Sequence, residues 1–230
     1  MRSALTFGDR AFRFYASLTF DIGLPPGVTV MNPYREAKVQ VYVRSFLSKF
    51  CSDNRERVLV FGINPGRFGS GITGVTFTDP VALEIFCDIP NGLPKKRELS
   101  SIFIYDFARY WGGAQKLYQD FYVTAVSPLG FVKNGKNFNF YDDSRFLADI
   151  KPFLISSINA HLAFGASRRA AIVLGTGKVK KVFENLNREN AFFQNVYALE
   201  HPRFIMQYRR KTLHAHLQKY RDVFVQAISS

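Results

Sequence analysis

Four short runs of nearly unbroken apolar residues, Val58 to Ile63, Phe121 to Val126, Ala171 to Leu174 and Val196 to Leu199, punctuate longer stretches in which apolar residues recur at helical spacing. The runs are too short and too uniformly apolar for amphipathic helices, and they predict parallel strands covered on both faces. Between them the helical period predicts helices over residues 35–50 (Val39, Val43, Phe46, Phe50), 98–111 (Leu99, Ile102, Phe103, Phe107) and 144–164 (Phe146, Ile150, Leu154, Ile158, Leu162). A last helix is predicted over 207–228, with Leu213, Leu217, Tyr220, Phe224 and Ile228 on one stripe. An N-terminal helix from Ala4 to Leu18 precedes a Pro25-Pro26-Gly27 turn. Alternation of strand and helix gives an α/β fold: a three-layer α/β/α sandwich with a central four-stranded, mainly parallel sheet. Residues 133–143, rich in Asn and Gly, are expected to form a long surface loop.

In open parallel sheets ligands bind beyond the carboxyl ends of the strands. Two of the predicted strands end in unusual polar segments, the first in Gly62-Ile63-Asn64-Pro65-Gly66-Arg67-Phe68-Gly69 and the fourth in Glu200-His201-Pro202-Arg203. Parallel strands carry both segments to one edge, so Asn64 and His201 are expected to face a common pocket. Glycine allows backbone N–H groups to approach a ligand, and the Asn amide can hold a water or a polar ligand edge. Taken alone, the first segment is equally compatible with a plain strand-to-helix turn, and His201 with an imidazole bonded to a backbone carbonyl.

At 230 residues the chain fits a single domain, residues 1–230, because one core serves up to about 250 residues. Two cysteines are too few for a four-thiolate cluster. The chain has no apolar run long enough to cross a membrane, and Arg2, Asp9, Arg10 and Arg13 interrupt any signal-peptide core, so an intracellular, cytoplasmic protein is expected, associated with the nucleoid if bacterial. The formal net charge is +13, and residues 168–221 hold twelve Lys or Arg against three acids, a net of +9. A basic face of that kind points to a polyanion, nucleic acid ahead of a membrane surface. Gly175-Thr176-Gly177-Lys178 lacks the earlier glycine and the final Ser or Thr of a phosphate loop and reads as a turn. His214 and His216, two apart on a helix, point to different faces and do not share a metal.

With both polar segments in view, the chain resembles the uracil-DNA glycosylase superfamily, and within it the single-strand-selective monofunctional branch. The resemblance rests on Gly62 to Gly69 with Thr73-Gly74-Val75-Thr76-Phe77 behind it, on Ser127-Pro128-Leu129, and on His201-Pro202, and it spans roughly residues 57–220. It implies that Asn64 positions the attacking water, that Phe77 stacks on a flipped base, and that His201 donates to the base oxygen that gathers charge as the glycosidic bond breaks. Gly62, Ile63, Gly66, Phe68 and Ala125 would complete the base pocket. Ala125 departs from the branch, which commonly carries a pyrimidine-reading Asn there, and so the base removed is left open. The second motif also departs, replacing the branch's wedge with Phe204 to Arg210. Met206 or Tyr208 would fill the vacated stack, unless the two simply pack under the last helix, an equally open reading, while Arg203, Arg209, Arg210 and Lys211 would hold phosphates.

These readings lead to a monofunctional DNA glycosylase acting as a monomer on DNA containing uracil or a related damaged base, without metal or cofactor. Two rivals remain at this level: a DNA-binding module that captures an odd base or abasic site without turnover, and a small-molecule hydrolase built on the same loops.

Overall fold

A computed structural model describes residues 4–230, among which seven strands occur: β1 (Val28–Met31), β2 (Arg57–Gly62), β3 (Phe121–Ala125), β4 (Gly130–Lys133), β5 (Lys136–Phe138), β6 (Ala166–Leu174) and β7 (Asn195–Leu199). The four predicted strands form one sheet in the order β3-β2-β6-β7, with every neighbouring pair parallel. All residues of β2 and β3 are buried, as expected of strands covered on both sides. Phe61 and Tyr122 meet Phe7, His161 and Phe183 from the helices Phe7–Ala16, Ser144–Ala163 and Lys178–Asn190. On the opposite face Phe121 packs against Trp111 and Phe224, from the helices Leu99–Trp111 and Leu213–Ser229. The sandwich is therefore three layers deep, with the sheet in the middle.

Local chemistry explains the element ends. Thr6 and Asp9 close a capping box that starts the first helix at Phe7, shorter at both ends than the predicted 4–18. Arg57 is buried, and its guanidinium donates to the carbonyls of Phe50, Arg55 and Tyr118 and to Asp53, satisfying backbone groups at the start of β2 and along two neighbouring helices. β6 begins five residues before its predicted start, because Arg168 and Arg169 at its exposed beginning hide it from an apolar-run search.

Two regions differ from the sequence expectation. Residues 133–143 do not form a plain loop. Asn134 and Gly135, at φ 49° and 70°, make a tight turn that joins β4 to β5, and β1 pairs with β4 to complete a second, antiparallel sheet of three strands. The predicted helix 207–228 is two helices, Pro202–Tyr208 and Leu213–Ser229, separated by a 3-10 turn at Arg210–Thr212. Its stripe also narrows: Tyr220 and Phe224 are buried, whereas Ile228 is exposed.

Candidate active site

The register of the main sheet sets the site. Gly62 pairs with Ala125, so the two strand ends that meet at the carboxyl edge carry the smallest side chains there. A Cβ on Gly62 would lie 2.8 Å from two ring atoms of Phe77, well inside van der Waals distance, so glycine at this position makes room for the ring. Phe77 itself has φ 54°, an uncommon and costly conformation for a bulky residue of the kind that persists where the surroundings enforce it, often at functional sites. The enforcement is visible. Thr73 Oγ1 donates to the Thr78 carbonyl at 2.7 Å and accepts from the Val75 N–H at 3.2 Å, and the Thr78 hydroxyl bonds the buried Tyr105 hydroxyl at 2.8 Å. Phe77 and His201 rings lie 5.8 Å apart at 55°.

Asn64 follows β2 by two residues. Its Nδ2 donates weakly to the carbonyls of Phe138 at 3.4 Å and Pro65 at 3.5 Å, which turns Oδ1 the other way. That oxygen is buried and takes no hydrogen bond among the described residues. A buried amide oxygen with no protein partner has a strong demand for a donor. The second sheet thus orients Asn64, and it holds the loop again where Asn137 Oδ1 accepts the Arg67 N–H at 3.2 Å. Beside it Glu98 Oε1 accepts the Phe68 N–H at 3.2 Å. Burial raises the Glu98 carboxyl above the usual carboxylate range, against the opposing pull of the Phe68 N–H.

His201 caps the helix Pro202–Tyr208, and its Nδ1 accepts the Arg203 N–H at 3.2 Å. A backbone N–H can only donate, so Nδ1 carries no hydrogen and the ring's single proton sits on Nε2. Burial, and next the charge of Arg203, push the imidazole pKa down to about 4, which keeps the ring neutral near pH 7. The result is a neutral N–H donor.

These groups share a cavity of about 680 Å³ lined by Gly62, Ile63, Asn64, Gly66, Phe68, Phe77, Ala125 and His201, which the sequence placed at one site, by Arg203, expected only as a phosphate contact, and also by Arg67, Arg97, Glu98, Lys136, Asn137 and Asn139, which sequence reasoning missed. Arg67 belongs to the Gly62–Gly69 segment itself; the other missed residues come from or beside the β4–β5 hairpin and from the approach to the helix Leu99–Trp111, segments without a strong motif of their own. The Asn134-Gly135 turn was the available signal for the hairpin. Ser127, from the third matched segment, does not line the cavity: its hydroxyl donates to the Leu129 carbonyl at 2.7 Å, and its N–H to the Ile63 carbonyl at 3.1 Å, bracing the loop from behind.

Met206 is a correction. It is 5% exposed and belongs to the core, because its position on the short helix turns it inward beside Ile205. Tyr208 is 59% exposed, as is much of Phe204 (41%), and the two rings pack 5.4 Å apart on the helix that His201 caps. Arg203, Arg209, Arg210 and Lys211 are exposed. Among the described residues, no group of three or more His, Cys, Asp or Glu could hold a metal ion, and no helix is long and apolar enough to cross a membrane.

A family model for the Uracil DNA glycosylase superfamily matches residues 48–225. The chain is also similar to a solved structure, wild-type SMUG2 of Pedobacter heparinus, with a TM-score of 0.95 and 39% sequence identity over 99% of this chain and 100% of that one. No curated protein matches the chain.

Proposed function

Because the chain belongs to the uracil DNA glycosylase superfamily, we propose that it is a monofunctional DNA glycosylase that hydrolyses the N-glycosidic bond of uracil or a related deaminated or oxidised base. The observation that carries this reading is one cavity lined by both Asn64, whose buried Oδ1 has no protein partner among the described residues, and His201, a neutral Nε2–H donor, with Phe77 beside the imidazole. In this mechanism Asn64 Oδ1 accepts a hydrogen bond from a water and aims its oxygen at C1′. As the C1′–N bond lengthens, its electron pair moves onto the base, and the sugar gains oxocarbenium character. His201 donates a hydrogen bond to the base oxygen on which that charge collects, an interaction stronger in the transition state than in the ground state. The water oxygen then bonds C1′, its proton passes to solvent, and the base anion takes up a proton as it leaves. The amide has no basic site to accept the water's proton, so its part is orientation. Phe77 stacks on the base within the pocket, which a base reaches only by leaving the helix.

Tyr208 or Phe204 fills the vacated stack, and Arg203 at the cavity's edge, with Arg209, Arg210 and Lys211 beyond it, meets the flanking phosphates of DNA. The protein acts as an intracellular monomer in base excision repair. Ala125 favours a second reading, capture without turnover, since alanine cannot read a pyrimidine edge. Oligonucleotides bearing uracil, xanthine, hypoxanthine or 5-hydroxymethyluracil, single- and double-stranded, followed by alkaline cleavage of abasic sites, test both. Abasic product that falls about 100-fold in Asn64→Ala, with DNA affinity nearly unchanged, supports the glycosylase. Affinity for the same strands without any product from any of them leaves the binder.

A further inference from the structure

Glu98 is an anomaly in its setting: a carboxylate in a cavity otherwise edged by Arg67, Arg97, Lys136 and Arg203. Sequence gives no reason for it, and the catalytic scheme above does not use it. Its packing is specific. Oε1 accepts the Phe68 N–H, and a Cβ on Gly66 would lie 3.0 Å from Oε1. A Cβ on Gly69 would overlap Oε2 outright. Glycine at 66 and 69 thus leaves the space that the carboxylate occupies. Its own backbone is fixed as well, since the Glu98 N–H donates at 2.8 Å to Oδ2 of Asp79, a buried residue whose Oδ1 caps the helix Pro80–Ile85. Asp79 lies two residues after Phe77, so one chain of contacts runs from the stacking ring, through Asp79 and Glu98, to the loop bearing Asn64.

We propose that Glu98 is a positioning residue of the reaction: lodged beneath Gly66 and Gly69, its carboxylate accepts the Phe68 amide and fixes the loop that aims Asn64, alongside the second brace supplied by Asn137. The rate part of this inference rests on the glycosylase reading, whereas the loop geometry does not. Acceptance at Oε1 requires an oxygen in that place and not a negative charge. Gln keeps the oxygen, Ala removes it, and Asp withdraws it by one methylene.

Glu98→Gln, Glu98→Ala and Glu98→Asp are compared in the full chain for three properties: single-turnover excision, affinity for DNA, and hydrogen exchange at the Phe68 amide, after thermal melts establish that each variant is folded. Excision in Glu98→Gln is expected within about 3-fold of the native rate, while Glu98→Ala and Glu98→Asp lose about 10- to 100-fold, because a displacement of about 1 Å in a reacting group is worth up to 100-fold. DNA affinity should change by less than about 3-fold in all three, because the phosphate-binding cations are untouched. Phe68 exchange should quicken in the Ala and Asp variants but not in Gln. Two results overturn the proposal: Gln as slow as Ala, which assigns the effect to charge, and unchanged exchange in Ala, which removes the brace. If the native protein excises no base at all, the glycosylase reading fails, and the exchange pattern alone decides for or against the brace. Should Glu98→Ala fail to fold, the Gln and Asp pair decides by the same criteria.

Discussion

Replacing Gly62 with alanine adds one methyl group to the floor of the cavity, and the structure says where that methyl goes. It would stand 2.8 Å from Cε2 and Cζ of Phe77. Carbon atoms in contact sit at about 3.5–4.0 Å, so the ring must retreat by roughly 0.7–1.2 Å, or the strand must move instead. The strand is the stiffer of the two, because β2 is paired on both sides and buried throughout. Phe77 is the element that yields, although its unusual backbone is tied down by Thr73 and Thr78. Overpacking of this size costs about 1–3 kcal/mol. If Phe77 stacks on the base as proposed, displacing its ring by about 1 Å is expected to cost up to about 100-fold in single-turnover excision. Urea denaturation and excision are measured for Gly62→Ala, Phe77→Ala and the double variant. With the ring gone, the added methyl has space, and Gly62→Ala in the Phe77→Ala background should cost less than about 0.5 kcal/mol and leave the residual rate unchanged, giving a coupling of about 1–3 kcal/mol. Equal costs in the two backgrounds would falsify the reasoning, because the methyl would then clash with something other than Phe77.

Two further outcomes follow from other parts of the molecule. His161 is fully buried, its Nδ1 facing the Ser157 carbonyl at 2.7 Å and its Nε2 the Thr124 hydroxyl at 2.7 Å, and burial pushes its pKa down from 6.5 to about 4. The native state therefore binds fewer protons than the unfolded chain between pH 6.5 and 4, so stability is complete above 6.5 and falls with pH across that window by about 3 kcal/mol; denaturation series at several pH values should show this slope reduced in His161→Gln. Tyr208→Ala and Phe204→Ala should slow excision on duplex more than on single strands, by about 10-fold for a loss of about 1–2 kcal/mol of stacking, whereas Met206→Leu, a volume-conserving change within the core, should leave the duplex-to-single-strand ratio unaltered; equal effects on both substrates would remove the two aromatics from the wedge role.

The amino-acid sequence by itself determined the central sheet, because two-sided burial writes itself as unbroken apolarity: β2 and β3 were legible to within one residue. Strand parallelism then placed Asn64 and His201 at one edge, so the main polar partners of the site followed from pattern and motif. What only the tertiary structure decided is how those groups are held. The orientation of the Asn64 amide depends on Phe138, 74 positions away on a strand of the second sheet, which takes its amide hydrogen. That strand is short and mostly exposed, so no apolar run marks it. Glu98 reaches the Gly62–Gly69 loop across 30 positions, and one carboxylate in a charged segment looks like any solvated acid until its neighbours are known. Met206 and Tyr208 read alike as candidate wedges, yet two positions on a short helix sent one into the core and the other to solvent. Periodicity records burial averaged over an element, and motifs record chemistry at a position; the direction of a single side chain on a short, irregular segment depends on long-range partners that neither pattern encodes.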